Sequence, residues 1–266
     1  MITLEEHFAL VRPPFPKATT PASLLRTAAL EHALERLRFA LDRETIALLV
    51  AESGCGKSTL LFELAQRLDA AHYNVVAVSL TTVPPSSFIS QLLAAMGLPA
   101  NRGTKGATAL ALIRHFRSLA KHHVVLVDEA HLLPDPCLED LRLLTADNLD
   151  RHSPFSLVLV GQPLLRDRLA EPQHYALCQR IGVRVRLRPL NELELALFLD
   201  RHLQAAGTTT PIFEPPAVAQ IFQHSRGVPR LAQNVALDAM LVAMTAGKQT
   251  VDGDAVQQAI VDLEAF

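Results

Sequence analysis

An apolar run, Thr45–Val50, breaks into Ala51-Glu-Ser-Gly54-Cys-Gly56-Lys57-Ser58, and a helical pattern, Thr59–Leu68, begins at once. Few chain stretches constrain a fold more tightly. Glycine at 54 and 56 lets the backbone wrap close to a phosphate, with N–H groups and a helix N-terminus pointing at the negative charge. In this pattern Lys57 reaches the β- and γ-phosphates and the Ser58 hydroxyl ligates Mg²⁺. Ser53, Gly54, Cys55, Gly56, Lys57, Ser58 and Thr59 are therefore the expected residues for ATP and its magnesium. The strict pattern asks for glycine where this chain has Ala51. The departure is tolerable if position 51 stays extended, because alanine is penalised only at positive φ. The bland alternative is a glycine-rich turn followed by an accidental Lys-Ser.

A second apolar strand, Val124–Val127, ends in Asp128 and Glu129, about seventy residues after Lys57 and one βα unit on. Asp128 would hold Mg²⁺ through water, as a second metal residue beside Ser58, and Glu129 would orient and deprotonate the attacking water. Both acids are expected at a strand tip adjacent to that of the phosphate loop. Taken alone, the pair would equally well cap the next helix. Asp128-Glu-Ala-His131 also spells the tetrapeptide of one helicase class, but 266 residues are too few for two motor domains and no second set of helicase motifs follows.

Around these strands the helical and strand patterns alternate, which argues for a parallel sheet with crossover helices. Helices are expected over Leu24–Leu41, Ser86–Met96 (capped by Ser86 or Ser87 and stopped by Gly97), Thr108–Lys121 and Cys137–Leu149. Thr108–Lys121 turns Leu112, Ile113, Phe116 and Leu119 inward. Further strands are expected over Asn74–Leu80, Ser156–Val160 and Val183–Leu187. Past Pro189 only helical patterns remain. Asn191 with Glu194 forms a capping box for a helix to about Ala205, and Pro216–His224, Pro229–Ala246 and Asp252–Glu264 follow. The expected division is an α/β domain over 1–189 and a small helical domain over 190–266.

Composition narrows the functions. Apolar residues make up 49% of the chain, enough for a core without disulfides, and three cysteines are too few and odd in number for a disulfide framework. Reduced thiols fit the cytoplasm. The N-terminus lacks a secretory signal and no apolar run approaches membrane-spanning length, so a soluble, cytoplasmic protein with no membrane partner is expected. Tryptophan is absent and the net charge is −2. Nucleic-acid binding would need a local basic surface rather than a global field.

In this order the motifs resemble the AAA+ ATPases over nearly the whole chain. The resemblance implies a three-layer αβα P-loop domain with a small C-terminal helical lid. Within that group the chain is similar to the ExeA-like branch. Phe8-Ala-Leu with Pro14-Phe15 resembles that branch's FGL…PF lead-in, with Ala9 replacing glycine. Val160-Gly-Gln-Pro, Gln179-Arg-Ile, Leu187-Arg-Pro-Leu and Arg226-Gly-Val-Pro-Arg match in order.

The resemblance assigns three further roles. Gln162, beside the phosphate-loop strand in such a sheet, would sense the γ-phosphate, although a strand-end glutamine is as often only a turn former. Arg180 would point across a subunit interface at a neighbour's γ-phosphate, against the alternative of a solvated arginine beside Arg184, Arg186 and Arg188. Arg230 would report the γ-phosphate from the lid.

The branch includes a secretion ATPase and the transposition regulators TnsC, TniB and Mu B. The secretion protein carries a membrane helix and further domains, so the expected role is that of a transposition regulator. Such a protein assembles with ATP on duplex DNA as a ring or helical filament, and its partners are a transposase and a target-selector protein. Arg102, Thr104, Lys105 and Thr108 resemble the DNA-backbone contacts of that group. The alternative is a secretion or envelope accessory ATPase acting on protein partners without DNA.

Overall fold

The computed structural model describes residues 2–17, 20–79, 84–98, 104–118, 120–146 and 153–265. In chain order it comprises α1 (Leu4–His7), α2 (Ala28–Asp42), β1 (Ile46–Val50), α3 (Lys57–Arg67), β2 (Tyr73–Val78), α4 (Pro85–Ala95), α5 (Lys105–Ser118) and β3 (His122–Val127). There follow α6 (Asp135–Thr145), β4 (Ser156–Gly161), α7 (Pro163–Leu169), α8 (Tyr175–Arg180), β5 (Ile181–Arg186), α9 (Glu192–Ala206), α10 (Pro215–Ser225), α11 (Pro229–Thr245) and α12 (Gly253–Glu264). A 3-10 turn, Ala130–Leu132, follows β3. No helix among the described residues is long and apolar enough to cross a membrane.

Two compact units result, residues 29–187 and residues 1–28 with 188–266. The lead-in, expected within a 1–189 domain, falls in the unit of the C-terminal helices. The lead-in segment packs with the C-terminal helices, not with the sheet. Phe8, Leu10 and Phe15 are buried in one cluster with Leu199, Leu203, Ile212 and Val235. The amides of Val11 and Arg12 both donate to the Ala206 carbonyl, at 2.8 and 3.1 Å. Burial of two phenylalanines explains why the lead-in belongs there, a long-range pairing that no local pattern displays.

Within residues 29–187 the described strands form one parallel sheet in the order β2-β3-β4-β1-β5. All residues of β1 and β4 are buried, as in a sheet covered on both faces. β5, at the edge, alternates Ile181, Val183 and Val185 inward with Gly182, Arg184 and Arg186 outward. The charged outer row protects an otherwise open edge. β1 is flanked by β4 and β5, so β4 separates it from β3. The expectation that the acidic strand tip adjoins the phosphate-loop tip is corrected accordingly. One strand and two helices, β2, α4 and α5, lie between α3 and β3.

Several local expectations also shift. α4 starts at Pro85 with Pro84 as its N-cap, and neither Ser86 nor Ser87 caps it. Proline suits that place because the first helical amide has no intrahelical acceptor. α5 starts three residues before the expected Thr108, and α6 runs from Asp135 to Thr145. Leu80, Leu119 and Leu149, three positions of the expected pattern, lie outside the described residues. In the helical unit the Asn191–Glu194 capping box is present, with both reciprocal bonds at 2.8 and 2.9 Å.

Candidate functional site

The loop between β1 and α3 is the candidate phosphate site. Gly54 and Gly56 have φ of 80° and 88°, in the left-handed region, whereas Ala51 is not among the positive-φ residues. The one departure from the phosphate-loop pattern is thereby accommodated. The Ala51 amide donates to the Gly161 carbonyl at 3.1 Å, which fixes the loop's root to the end of β4. Gly56 is the N-cap of α3 and provides no side-chain cap, so an anion can take that place at the helix start. Ser53 and Ser58 are exposed, Gly54 and Thr59 half-buried, and Cys55 buried. Burial raises the Cys55 thiol's pKa, with Lys57 working in the opposite direction.

Lys57 is only 6% exposed. Its Nζ donates to the carbonyl oxygens of Ala51 and Glu52 at 3.0 and 3.1 Å, and it forms no ion pair among the described residues. A buried ammonium held by carbonyl dipoles alone is a costly arrangement that a phosphate would relieve.

At the tip of β3 the Asp128 amide donates to the Val78 carbonyl, and the Asp128 carboxylate accepts from the Glu129 amide, both at 2.8 Å. Glu129 adopts φ 50°, ψ 34°, which is rare for a residue other than glycine. Such strain persists only where surrounding structure over-determines it. Both acids are half-buried. For a magnesium ion, the Ser58 hydroxyl and the Asp128 carboxylate are hard oxygen donors, and a protein gives Mg²⁺ one or two such groups while phosphates and water complete the octahedron. No cluster of three or more His, Cys, Asp or Glu suited to a metal occurs among the described residues.

Gln162 follows β4, the neighbour of β1, and stands at the N-cap of α7 without using its side chain as the cap. Its amide group is thus left for other partners at the same end of the sheet as the loop.

Arg180 lies at the opposite end. Its guanidinium donates to the Arg142 carbonyl at 3.2 Å and approaches the Thr145 hydroxyl at 3.5 Å, near the C-terminal end of α6. Desolvation, reinforced by Arg142, lowers its pKa from the usual value. Arg230 is exposed in the first turn of α11 in the other unit. The motif before it has its own structural reason. Arg226 and Gly227 both have positive φ, and a Cβ at Gly227 would overlap the Leu190 carbonyl.

The residues expected to contact DNA are engaged internally. The Thr104 hydroxyl accepts from the Ala107 amide at 3.3 Å, and Thr108 is buried with its hydroxyl donating to the Thr104 carbonyl at 3.0 Å. Lys105 Nζ lies 2.7 Å from the Asp140 carboxylate. Burial keeps Thr108 from meeting a phosphate in this arrangement. Arg102 lies outside the described residues.

Sequence reasoning missed Arg168. It donates to the His131 carbonyl at 2.7 Å and also binds Asp135, whose carboxylate lies 3.0 Å from His174 Nε2. The Arg168 hydrogen bond holds the Asp135 carboxyl below its usual pKa. No motif marks this group, because its members are scattered over four elements: the turn after β3, α6, α7 and a 3-10 turn, Pro172–His174.

A strand-loop-helix cradle with a buried lysine, an acidic strand and a glutamine-tipped strand between them now stand together in one parallel sheet. Residues 40–169 match the family model for the AAA domain. The fold is that of the AAA+ P-loop NTPases.

In sequence, the chain is 36% identical over 260 residues to the general secretion pathway protein A of Aeromonas hydrophila, a match covering 94% of this chain. It spans 46% of that relative's length. Among solved structures it resembles Cdc6p from Pyrobaculum aerophilum at a TM-score of 0.72 and 18% identity, over 96% of this chain and 70% of that one. The ORC2 protein of Aeropyrum pernix, solved as ADPNP–ADP complexes, gives 0.69 and 18% over 93% and 70%. The RuvB branch migration motor of Thermotoga maritima gives 0.58 and 22% over 88% and 69%. At such identities these structures establish the AAA+ fold alone.

Proposed function

We propose that this chain binds Mg·ATP and hydrolyses it as an accessory ATPase of a secretion or envelope system, acting on protein partners. The observation that carries the nucleotide reading is Lys57, a buried cation with carbonyl partners only, beneath two left-handed glycines. Backbone amides of the loop and Lys57 would hold the phosphates. Ser58 and Asp128 would hold the metal, which supplies charge neutralisation at the transferred phosphoryl group. Glu129 would take the proton of the attacking water, and Gln162 would respond to the γ-phosphate. An Arg180 supplied by a neighbouring copy would complete the site in a homo-oligomer.

The choice of partner class rests on the 36% identity with the Aeromonas secretion protein. The transposition reading relied on that protein's additional segments, but the match spans only 46% of its length, so they do not discriminate. Thr104, Lys105 and Thr108 add no weight to it either, since each has an intramolecular bond.

Steady-state hydrolysis with and without duplex DNA tests the proposal. Wild type should turn over Mg·ATP, and Glu129→Gln should bind it without turnover. DNA should leave the rate unchanged. Stimulation by DNA, or ATP-dependent assembly of Glu129→Gln on a duplex, would return the DNA reading to first place. Retained turnover in Glu129→Gln would remove the assigned base.

A further inference from the structure

We infer that His131 is a positioning residue for Glu129, orienting the carboxylate from a buried ring two residues along the turn. The inference rests on the proposed reading of Glu129 as the base. Three observations carry it.

The His131 side chain is 7% exposed, and its Nδ1 lies 3.3 Å from Glu129 Oε2. That separation suits a charge contact, yet its geometry is not that of a hydrogen bond, and Nδ1 is a buried polar atom without a hydrogen-bond partner. A buried nitrogen so placed has a strong incentive to close on an acceptor. With its proton on Nδ1, the imidazole donates to Oε2 after a small rotation of the carboxylate.

The turn that carries the ring is held at fixed points. Arg168 binds the His131 carbonyl, and the Leu132 amide donates to the Glu129 carbonyl at 2.9 Å. A Cβ at Gly161 would stand 3.3 Å from the His131 amide nitrogen, so the end of β4 passes the turn where it carries no side chain. The ring is therefore aimed by backbone restraints and not by its own rotamer alone.

Finally, Glu129 holds a left-handed conformation that its own chemistry disfavours. A strained backbone places the carboxylate, and the buried His131 ring approaches its Oε2. Glu129 thus becomes a base with a set direction, the property that makes proton abstraction efficient.

The test compares His131→Ala, His131→Asn and His131→Gln, with Glu129→Gln and the double variant Glu129→Gln/His131→Ala. Asparagine places an amide near the Nδ1 position and glutamine near Nε2. The expected result is a fall in kcat of about ten- to hundredfold for alanine, part of the gain that a positioned base provides. The dissociation constant for ATP should stay unchanged. Asparagine should recover most of the rate and glutamine should not, and the double variant should turn over no more slowly than Glu129→Gln alone. Equal rates for asparagine and glutamine would overturn the inference even if the alanine variant fails to fold. So would an unchanged or raised kcat for alanine, or a loss carried by ATP affinity. Should Glu129→Gln turn over like wild type, the base assignment falls and this inference with it. Should Glu129→Gln be inactive while His131→Gln matches wild type, only the inference falls.

Discussion

Lys57 Nζ lies 3.0 Å from the carbonyl oxygen of Ala51, the residue standing where the phosphate-loop pattern asks for glycine. The ammonium thus folds back on the root of its own loop. A carbonyl pair satisfies the hydrogen bonds without cancelling the charge, so the folded chain carries an uncompensated cation where the proposed phosphate would sit.

Replacing Lys57 by methionine should separate binding from stability. The apo protein should melt no lower than wild type, because a desolvated charge is exchanged for an apolar chain of similar length. Nucleotide affinity should fall at least about a hundredfold, or roughly 2.7 kcal/mol. Calorimetric titration with Mg·ATP, beside thermal melts of the apo proteins, checks both halves. A large drop in apo melting temperature would show that Lys57 serves the fold.

Ala9→Gly should stabilise the chain. Ala9 has φ of 51° and is exposed, so its methyl group costs strain and buries nothing. A left-handed alanine is disfavoured by roughly 1–2 kcal/mol, and the unfolded-state entropy of glycine offsets about 0.5–1 of that. A rise in melting temperature of about 1–4 °C follows for a chain of this size. An unchanged or lower value would mean that the turn is not strained as described.

Ala9 also shows what a sequence can and cannot convey. The departure from glycine was visible in the motif, but its consequence depends on a backbone angle. The phosphate loop, the acidic strand and the Asn191–Glu194 cap were legible because each is a local pattern with a local cause. α7 and α8, seven and six residues long, were not legible, since neither spans enough turns to display a period. The same holds for the docking of Phe8 and Phe15, for the separation of β1 from β3, and for the Arg168 bond to His131. Each joins residues far apart in the chain through packing that only the fold reveals.

The helical unit should weaken in mild acid through His202. This ring is 1% exposed, stacks on Phe15 at 5.4 Å and meets Phe198 edge-on at 4.5 Å. Burial pulls its pKa down to about 4 from an ordinary 6.5. The unfolded chain therefore takes up this proton first as pH falls. The full stabilisation exists above about 6.5 and is lost as pH drops toward 4, to a total of about 3 kcal/mol. Denaturant titrations at pH 7, 5.5 and 4.5 should show that slope in wild type and a shallower one in His202→Leu. Parallel slopes would assign the acid sensitivity to other groups.

Arg180 can act on a γ-phosphate only from a neighbouring copy. In the register of the sheet Ile46 faces Ile181 and Val50 faces Arg186, and the phosphate loop follows Val50. Arg180 therefore lies a strand's length from its own loop, about 16 Å at 3.3 Å per residue, beyond the reach of one arginine. Its bond to the Arg142 carbonyl would have to open when a neighbour docks. Arg180→Ala and Glu129→Gln should each be inactive as pure assemblies. Mixed in equal amounts they should recover about a quarter of the wild-type rate, because random head-to-tail pairing sets an intact Glu129 opposite an intact Arg180 at that fraction of interfaces. Hydrolysis measured across the mixing ratio should rise to a maximum near equal parts. A rate that never exceeds the sum of the two pure variants would confine Arg180 to bracing α6.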